Sequence, residues 1–365
     1  MSMDPEMVAM LRGNTQRYAA DNYSFLQRRA FLQNPSGYGI EAWRDYAELG
    51  WLALRMPEDY GGMSADAAAV GAVMEVVGSH LLMEPILASA IVCTGLVLKQ
   101  ATPQQQANLL PRMADGSLKL AFASIDDPAP GAACELRGGT LTGSKIGVLH
   151  GDIADQFIIC ACNVDAGGVP VLCLTEAAQI SRESFRLVDG RGAANLRFES
   201  AVAERLGPER GASAAAVISE VCDEATVALC AEALGVVRCL MASTCEYLKV
   251  RKQFGKPIGA NQALQHRAVD MFLLQQEIAA LTQAAQGAME RPAAERARIV
   301  SGARAYVITA ARHIANEAVQ MHGGLGITDE LDISHYFRRL MVNTALFGGR
   351  DQHFFRFTEE TLSSL

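Results

Sequence analysis

The chain has 9 cysteines but no Cys-x-x-Cys pair. An odd count without paired spacing argues against a disulfide framework and against a thiolate metal site. Cys160 and Cys162 fit one face of a strand, so the thiols are expected to be reduced and mostly buried, and no metal is expected. Long apolar runs are also missing. The longest, Pro85 to Leu98 (PILASAIVCTGLVL), falls short of the roughly 18 to 20 residues that span a bilayer and reads as a buried helix. Nor is there a basic surplus: 32 Lys and Arg stand against 40 Asp and Glu, a net charge of -8, which excludes the cationic footprint that nucleic acid requires. The opening MSMDPEMVAML lacks a basic start, an apolar stretch and a small-residue cleavage site, so a cytoplasmic protein with no membrane partner is expected. Finally, no G-x-G-x-x-G follows a strand pattern, which excludes a Rossmann-type dinucleotide site.

What is present is a chain of 365 residues, half of them hydrophobic, long enough for two or three domains. Apolar residues at three- and four-residue spacing predict helices from about Glu6 to Met113, with Trp43, Tyr46, Leu49 and Leu52 along one face. The segment PEDYGG (Pro57 to Gly62) reads as a turn and connector. From about Lys119 to Leu206 the period becomes two, with Gly138-Gly139 and Gly167-Gly168 as turns, predicting short antiparallel strands. From about Gly211 three long amphipathic helices follow, Ala214 to Lys249, Gln262 to Met289 and Pro292 to Met321, then a shorter one around Ile333 to Leu340. The expected domains are a helical 1–118, a β domain 119–208 and a helical bundle 209–365. Long helices with short connections imply an antiparallel bundle.

Two clusters carry chemistry. In RKQFGKPIGANQ (Arg251 to Gln262), between two long helices, Arg251 and Lys252 offer cationic donors suited to phosphate. Gln253 adds a neutral donor and acceptor, and Phe254 with Gly255 supplies an apolar plate beside approachable backbone. The same basic residues would also serve a plain surface loop by offsetting a helix C-terminal dipole. In QMHGGLGITDE (Gln320 to Glu330) the glycines either cap a helix or turn backbone N–H groups toward an anion, with Gln320 beside them. His322 is a candidate proton donor, although a histidine at a helix end is ordinarily a cap.

These stretches, with GWLALRMPEDYGG (Gly50 to Gly62) and the helical–β–helical order, resemble the acyl-CoA dehydrogenase family over essentially the whole chain. The resemblance implies an α+β fold of N-terminal helical domain, middle antiparallel β-barrel and C-terminal four-helix bundle. It also implies a dimer of dimers that binds FAD and oxidises an acyl-CoA to a 2-enoyl-CoA, with electron-transfer flavoprotein as electron acceptor. Carried over by position, Arg251, Gln253, Phe254 and Gln262 match FAD contacts. Gln320, Gly323 and Gly324 match contacts expected from a neighbouring subunit, and Gln352 matches an adenosine-side contact. Asp223 matches a residue that touches the CoA adenine in some relatives, while an exposed helix carboxylate is its commoner role.

The sequence departs from the family where the chemistry occurs. A strand that often reads Gly-x-Lys-x-Trp-x-Thr is here Gly143-Ser-Lys145-Ile-Gly147-Val-Leu149, without the large ring, and the entry to the β domain reads Phe122-Ala-Ser-Ile-Asp126-Asp127-Pro128. The usual catalytic Glu is replaced by Gly348. The alternative Glu position matches Ala225, with Glu224 one residue and about 100° of helix away, leaving Glu224 as the nearest candidate base. Chains without the usual base resemble small or β-type subunits that pair with a base-bearing partner in a hetero-oligomer. The run SFLQRRAFLQNP with WRDYAELGWLAL resembles the small subunit of pimeloyl-CoA dehydrogenase in particular.

Overall fold

A computed structural model describes residues 3–208 and 213–363. The helical start expected at Gly211 lies outside the described residues. The chain divides into two compact units built from interleaved pieces: Met1–Arg29, Asp66–Leu82 and Thr226–Leu365 form one, Ala30–Ala65 and Met83–Ala225 the other. The helical–β–helical order of the sequence therefore holds along the chain, while compactness groups the β strands with part of the N-terminal helices.

The N-terminal helices are α1 (Pro5–Asn22), α2 (Phe25–Gln33), α3 (Ile40–Glu48), α4 (Ala67–Ser79), α5 (Thr94–Gln100) and α6 (Pro103–Ala114). Local chemistry sets several of their starts. Asp4 accepts from Glu6 N–H ahead of Pro5 in α1, and Thr102 and Gln105 form a reciprocal capping box at α6. The expected face through Leu49 and Leu52 is cut short because α3 ends at Glu48 and Gly50 turns at φ 75°. Leu49 is left exposed, while Leu52 reaches the core from the following turns. The run from Pro85 is buried as expected, but Ile86–Cys93 winds as a π-helix before α5 begins.

The strands are β1 (Leu120–Ala123), β2 (Glu135–Arg137), β3 (Thr140–Leu149), β4 (Gln156–Asn163), β5 (Val169–Glu176), β6 (Ser181–Arg186), β7 (Gly192–Val202) and β8 (Glu204–Arg205). They form one sheet in the order β6-β7-β3-β2-β4-β5-β8, with β1 added beside β4. Most neighbours are antiparallel, as the alternation predicts, but β1 and β2 both run parallel to β4. Gly138 and Gly139, at φ 54° and 79°, make the two-residue turn between β2 and β3; two successive positive φ values are the twist that a tight hairpin needs. Inward residues such as Leu141, Phe157, Ile159 and Phe198 pack its core.

The C-terminal helices are α7 (Ala214–Val250), α8 (Gln262–Gly287), α9 (Ala293–His322), α10 (Ile333–Asn343) and α11 (Arg350–Leu362), with a small hairpin, β9 (Lys252–Gln253) and β10 (Lys256–Pro257), between α7 and α8. By length and apolarity α7 would cross a membrane, but 78% of its most apolar window is buried within the protein, as a core helix requires. Leu240, Ile278, Val307, Ile314 and Leu340 build one continuous core. Glycines permit the closest approaches: a Cβ on Gly78 would sit 2.0 Å from Glu232 O, and one on Gly302 would meet the Phe357 ring at 2.9 Å.

Buried charge threads this core. Arg339 pairs with Glu232 at 2.8 Å, both fully buried, and Asn343 Nδ2 donates to the other Glu232 oxygen at 2.7 Å. Arg304, also fully buried, donates to Asn343 Oδ1 and to the Asn343 and Leu346 carbonyls. The network ties α7, α9 and α10 together and seats the turn that leads to Gly348.

A second buried group makes stability depend on pH. Burial, then the nearby Arg28 and Arg338, pull the His335 imidazole down to about 4. Arg28 Nη1 lies 2.8 Å from His335 Nδ1, consistent with a neutral ring accepting from the guanidinium. A histidine whose folded pKa lies below its unfolded value of about 6.5 contributes stability above that value and loses it as pH falls toward 4, because the unfolded chain takes up the proton first. Unfolding free energies from denaturant titrations should therefore drop between pH 7 and pH 4.5 by an amount on the order of 2–3 kcal/mol more in the wild type than in His335→Asn. Equal pH slopes for the two proteins would remove His335 from the account.

Candidate functional site

The Arg251 cluster is built as a projecting turn. α7 stops at Val250, and β9 and β10 pair antiparallel around Phe254 and Gly255, at φ 52° and 81°. A phenylalanine in left-handed backbone is costly, and here its side chain is fully exposed. Arg251, Lys252, Gln253 and Lys256 are exposed as well, and the Arg251 guanidinium has no protein partner among the described residues. Gln262 opens α8, exposed, beside Asn261, which makes no side-chain cap.

The glycine cluster follows α9. Gly323 ends the helix at φ 61°, Gln320, Gly323 and Gly324 are exposed, and a Cβ on either glycine would meet nothing within 4 Å. His322 is buried, its Nδ1 2.7 Å from Ala318 O and its ring stacked on Tyr247 at 4.3 Å. It therefore caps rather than presents a proton. The same stacking joins the last turn of α7 to the end of α9, so the two clusters share one end of the bundle within one protomer. Cations without partners, open backbone and neutral amides at that end suit a pyrophosphate.

Gln352 sits in the first turn of α11, where its Oε1 accepts from Gly349 N–H at 2.9 Å and so caps the helix. Just before it, Phe347 and Gly348 adopt φ 54° and 106°. A Cβ at Gly348 would lie 3.0 Å from His353 Nε2, and His353 in turn holds Phe347 O. Position 348 is thus glycine by conformation as well as by identity, since side-chain-bearing residues avoid φ near 106°.

In the other unit, the two departing β segments meet at an isolated antiparallel bridge between Asp126 and Lys145 of β3. Lys145 is buried, paired with Asp126 at 2.7 Å and donating to Ser124 O. The register of β3 slips between Lys145 and Val148, and Gly147 bulges out at φ 64° with its N–H on Asn195 Oδ1. The missing ring therefore belongs to a bulge that a tryptophan would strain.

Glu224 is bound up with cations. Its carboxylate lies 2.6 Å from the Arg55 guanidinium and 3.4 Å from Lys99 Nζ, while Arg55 also donates to Ile91 O in the π-helix. Gly95 makes room, since a Cβ there would come within 2.5 Å of Arg55. Sequence reasoning misses Arg55 and Lys99 as partners; a glycine inside the apolar run is the only local sign. Asp223, read as an exposed carboxylate or an adenine contact, is fully buried on α7, a helix packed on more than one face here, since Val221 and Ala225 on its other side are buried too. The exposed-carboxylate reading is therefore corrected, because packing buries this position.

Comparison with known proteins bears on both units. The model of the acyl-CoA dehydrogenase N-terminal domain matches residues 5–117, and that of the C-terminal domain matches residues 209–354. The chain is 30% identical to acyl-CoA dehydrogenase IpdE2 of Mycobacterium tuberculosis (strain ATCC 25618 / H37Rv), over 92% of this chain and 91% of that protein. Among solved structures, a variant of the Tcur3481–Tcur3483 steroid ACAD aligns with a TM-score of 0.87 at 25% identity, covering 98% of each chain. The ChsE4–ChsE5 complex from Mycobacterium tuberculosis aligns with a TM-score of 0.87 at 22% identity, covering 99% of this chain and 98% of that one.

Proposed function

The chain belongs to the acyl-CoA dehydrogenase family, and from that premise we propose that it holds FAD and works as a β-type subunit whose thioester α-proton is taken by a carboxylate of a second, base-bearing chain. Gly348 carries this reading, because it has no carboxylate at the position matched to the usual glutamate and its backbone conformation would strain one. Two similar structures, ChsE4–ChsE5 and Tcur3481–Tcur3483, are named as pairs of different chains, which supports a hetero-oligomer. Exposed apolar side chains on α8 (Val269, Phe272, Leu273) and α11 (Phe354, Phe355) supply surface for such assembly, or for a dimer of dimers. The likeness of the N-terminal run to the small subunit of pimeloyl-CoA dehydrogenase points the same way.

The residues present fit the cofactor. Arg251 would bind the pyrophosphate, with Gln253, Phe254 and Gln262 beside it; Gln320, Gly323 and Gly324, which the stacking of Tyr247 on His322 holds at the same end of the same protomer, would add amide and backbone donors, and Gln352 would serve the adenosine side. Bound FAD supplies the acceptor for the β-hydride when an acyl-CoA becomes a 2-enoyl-CoA, and electrons would leave to electron-transfer flavoprotein. The protein's part is to orient the thioester and polarise its carbonyl. Arg251→Ala should weaken FAD retention by roughly ten- to hundredfold, the loss of one charge-assisted contact, with Lys252→Ala close to wild type. Equilibrium FAD titration of both variants checks this, and equal affinities would remove Arg251 from the site.

One observation favours a second reading, an independent dehydrogenase with Glu224 as base: Glu224 Oε2 touches Arg55 yet accepts no well-formed hydrogen bond. Turnover by the isolated chain that Glu224→Gln abolishes would establish it.

A further inference from the structure

Between α1, the end of α4, α7 and the start of α10, all within one compact unit, lies a cavity of about 430 Å³ away from the Arg251 turn. One wall is cationic. Arg12 pairs with Glu75 at 3.0 Å, and Arg238 pairs with the other oxygen of the same carboxylate. Backbone contact enforces this convergence, since a Cβ on Gly235 would lie 1.9 Å from Glu75 O, which sets Arg238, three residues on, beside Glu75. One carboxylate is thus shared between two guanidiniums that stand side by side. Consistent with that, burial and the neighbouring Arg12 both lower the Arg238 pKa.

Apolar residues share the lining, Tyr23, Phe25, Leu81 and the ring of Tyr336, whose hydroxyl is spent on Ser79 O at 2.6 Å. His80 lies at the rim, its Nδ1 3.0 Å from Ser79 Oγ, and burial favours its neutral form. Asp332 also lines the cavity and disfavours a second negative charge on any occupant.

We propose that this cavity is a binding site for a small monocarboxylate with a single-ring or short branched apolar body, its carboxylate on Arg12 and Arg238 and its body against Tyr23 and Phe25. Guanidinium forks match a planar carboxylate, and Asp332 in the lining disfavours the second charge of a phosphate or a dicarboxylate. The site is independent of the FAD reading and of the thioester chemistry.

The test is calorimetric titration of the full chain, with and without added FAD, using 3-phenylpropionate, 3-phenylpropionamide and inorganic phosphate as probes. Expected is saturable one-to-one binding of the carboxylate, with the amide weaker by about tenfold or more and phosphate weaker still. Arg12→Gln and Arg238→Gln should each weaken the carboxylate by about tenfold and leave the amide unchanged; Arg12 lies at the exposed end of the pair, so its variant serves if Arg238→Gln misfolds. Equal affinity for acid and amide, tighter binding of phosphate, unchanged affinity in Arg12→Gln, or no saturation up to about 10 mM would each overturn the proposal.

Discussion

Mixed anaerobically with acyl-CoA, the FAD-loaded chain alone should bleach its flavin slowly, and co-expression with a base-bearing family member that forms a hetero-oligomer with it should raise the rate by roughly 10²–10⁴-fold, the usual worth of a positioned base. Two observations motivate the size of the effect. Gly348 has no side chain and occupies backbone that a glutamate would strain. Glu224, the nearest carboxylate by sequence, is engaged by Arg55 and Lys99. Its release would leave Arg55, only 11% exposed, without its counter-ion. Stopped-flow absorbance on the single chain and on the purified pair reads the difference, and equal rates would show that the second chain adds no base.

The second large effect concerns the network under the Gly348 turn. Glu232→Ala should destabilise the protein by about 3–5 kcal/mol, because it strands the buried Arg339 guanidinium and leaves Asn343 Nδ2 without one of its acceptors. The paired change Glu232→Leu with Arg339→Met should cost clearly less than the sum of the single changes, since neither charge is then left alone. Denaturant unfolding of wild type, the two single variants and the pair makes the cycle. Additive losses would mean that the two residues act separately. The network reaches the Gly348 turn because Arg304 within it donates to the Asn343 and Leu346 carbonyls, from which that turn and α11 depart.

Much of this architecture is legible in the sequence because its signals are local. Periodicity of three to four places α7, α8 and α9 within a few residues, and paired glycines mark the β2–β3 turn. The Phe254-Gly255 pair announces approachable backbone before any hairpin is seen. What escapes depends on distant partners. Glu224 and Arg55 are 169 positions apart and their pairing leaves no periodic trace. Asp223 and Glu224 are adjacent charges on one helix, yet tertiary packing buries the first and leaves the second partly exposed. α11 escapes because its polar, aromatic-rich sequence lacks an apolar stripe, although Gly349 before Gln352 marks its start. The π winding of Ile86–Cys93 has no signature in an apolar run that any helix would satisfy. The shared end of the Arg251 and Gly323 clusters rests on Tyr247 stacking on His322, a contact between helices that neither motif reveals alone.

The central claim is that this chain holds FAD and does not itself supply the base. Its most direct test is the rate of flavin bleaching by acyl-CoA in a single turnover, measured anaerobically on the FAD-loaded chain alone as wild type and as Glu224→Gln. The account predicts slow bleaching at the same rate in both. Fast bleaching in wild type that Glu224→Gln abolishes, with FAD content and folding intact, would contradict it.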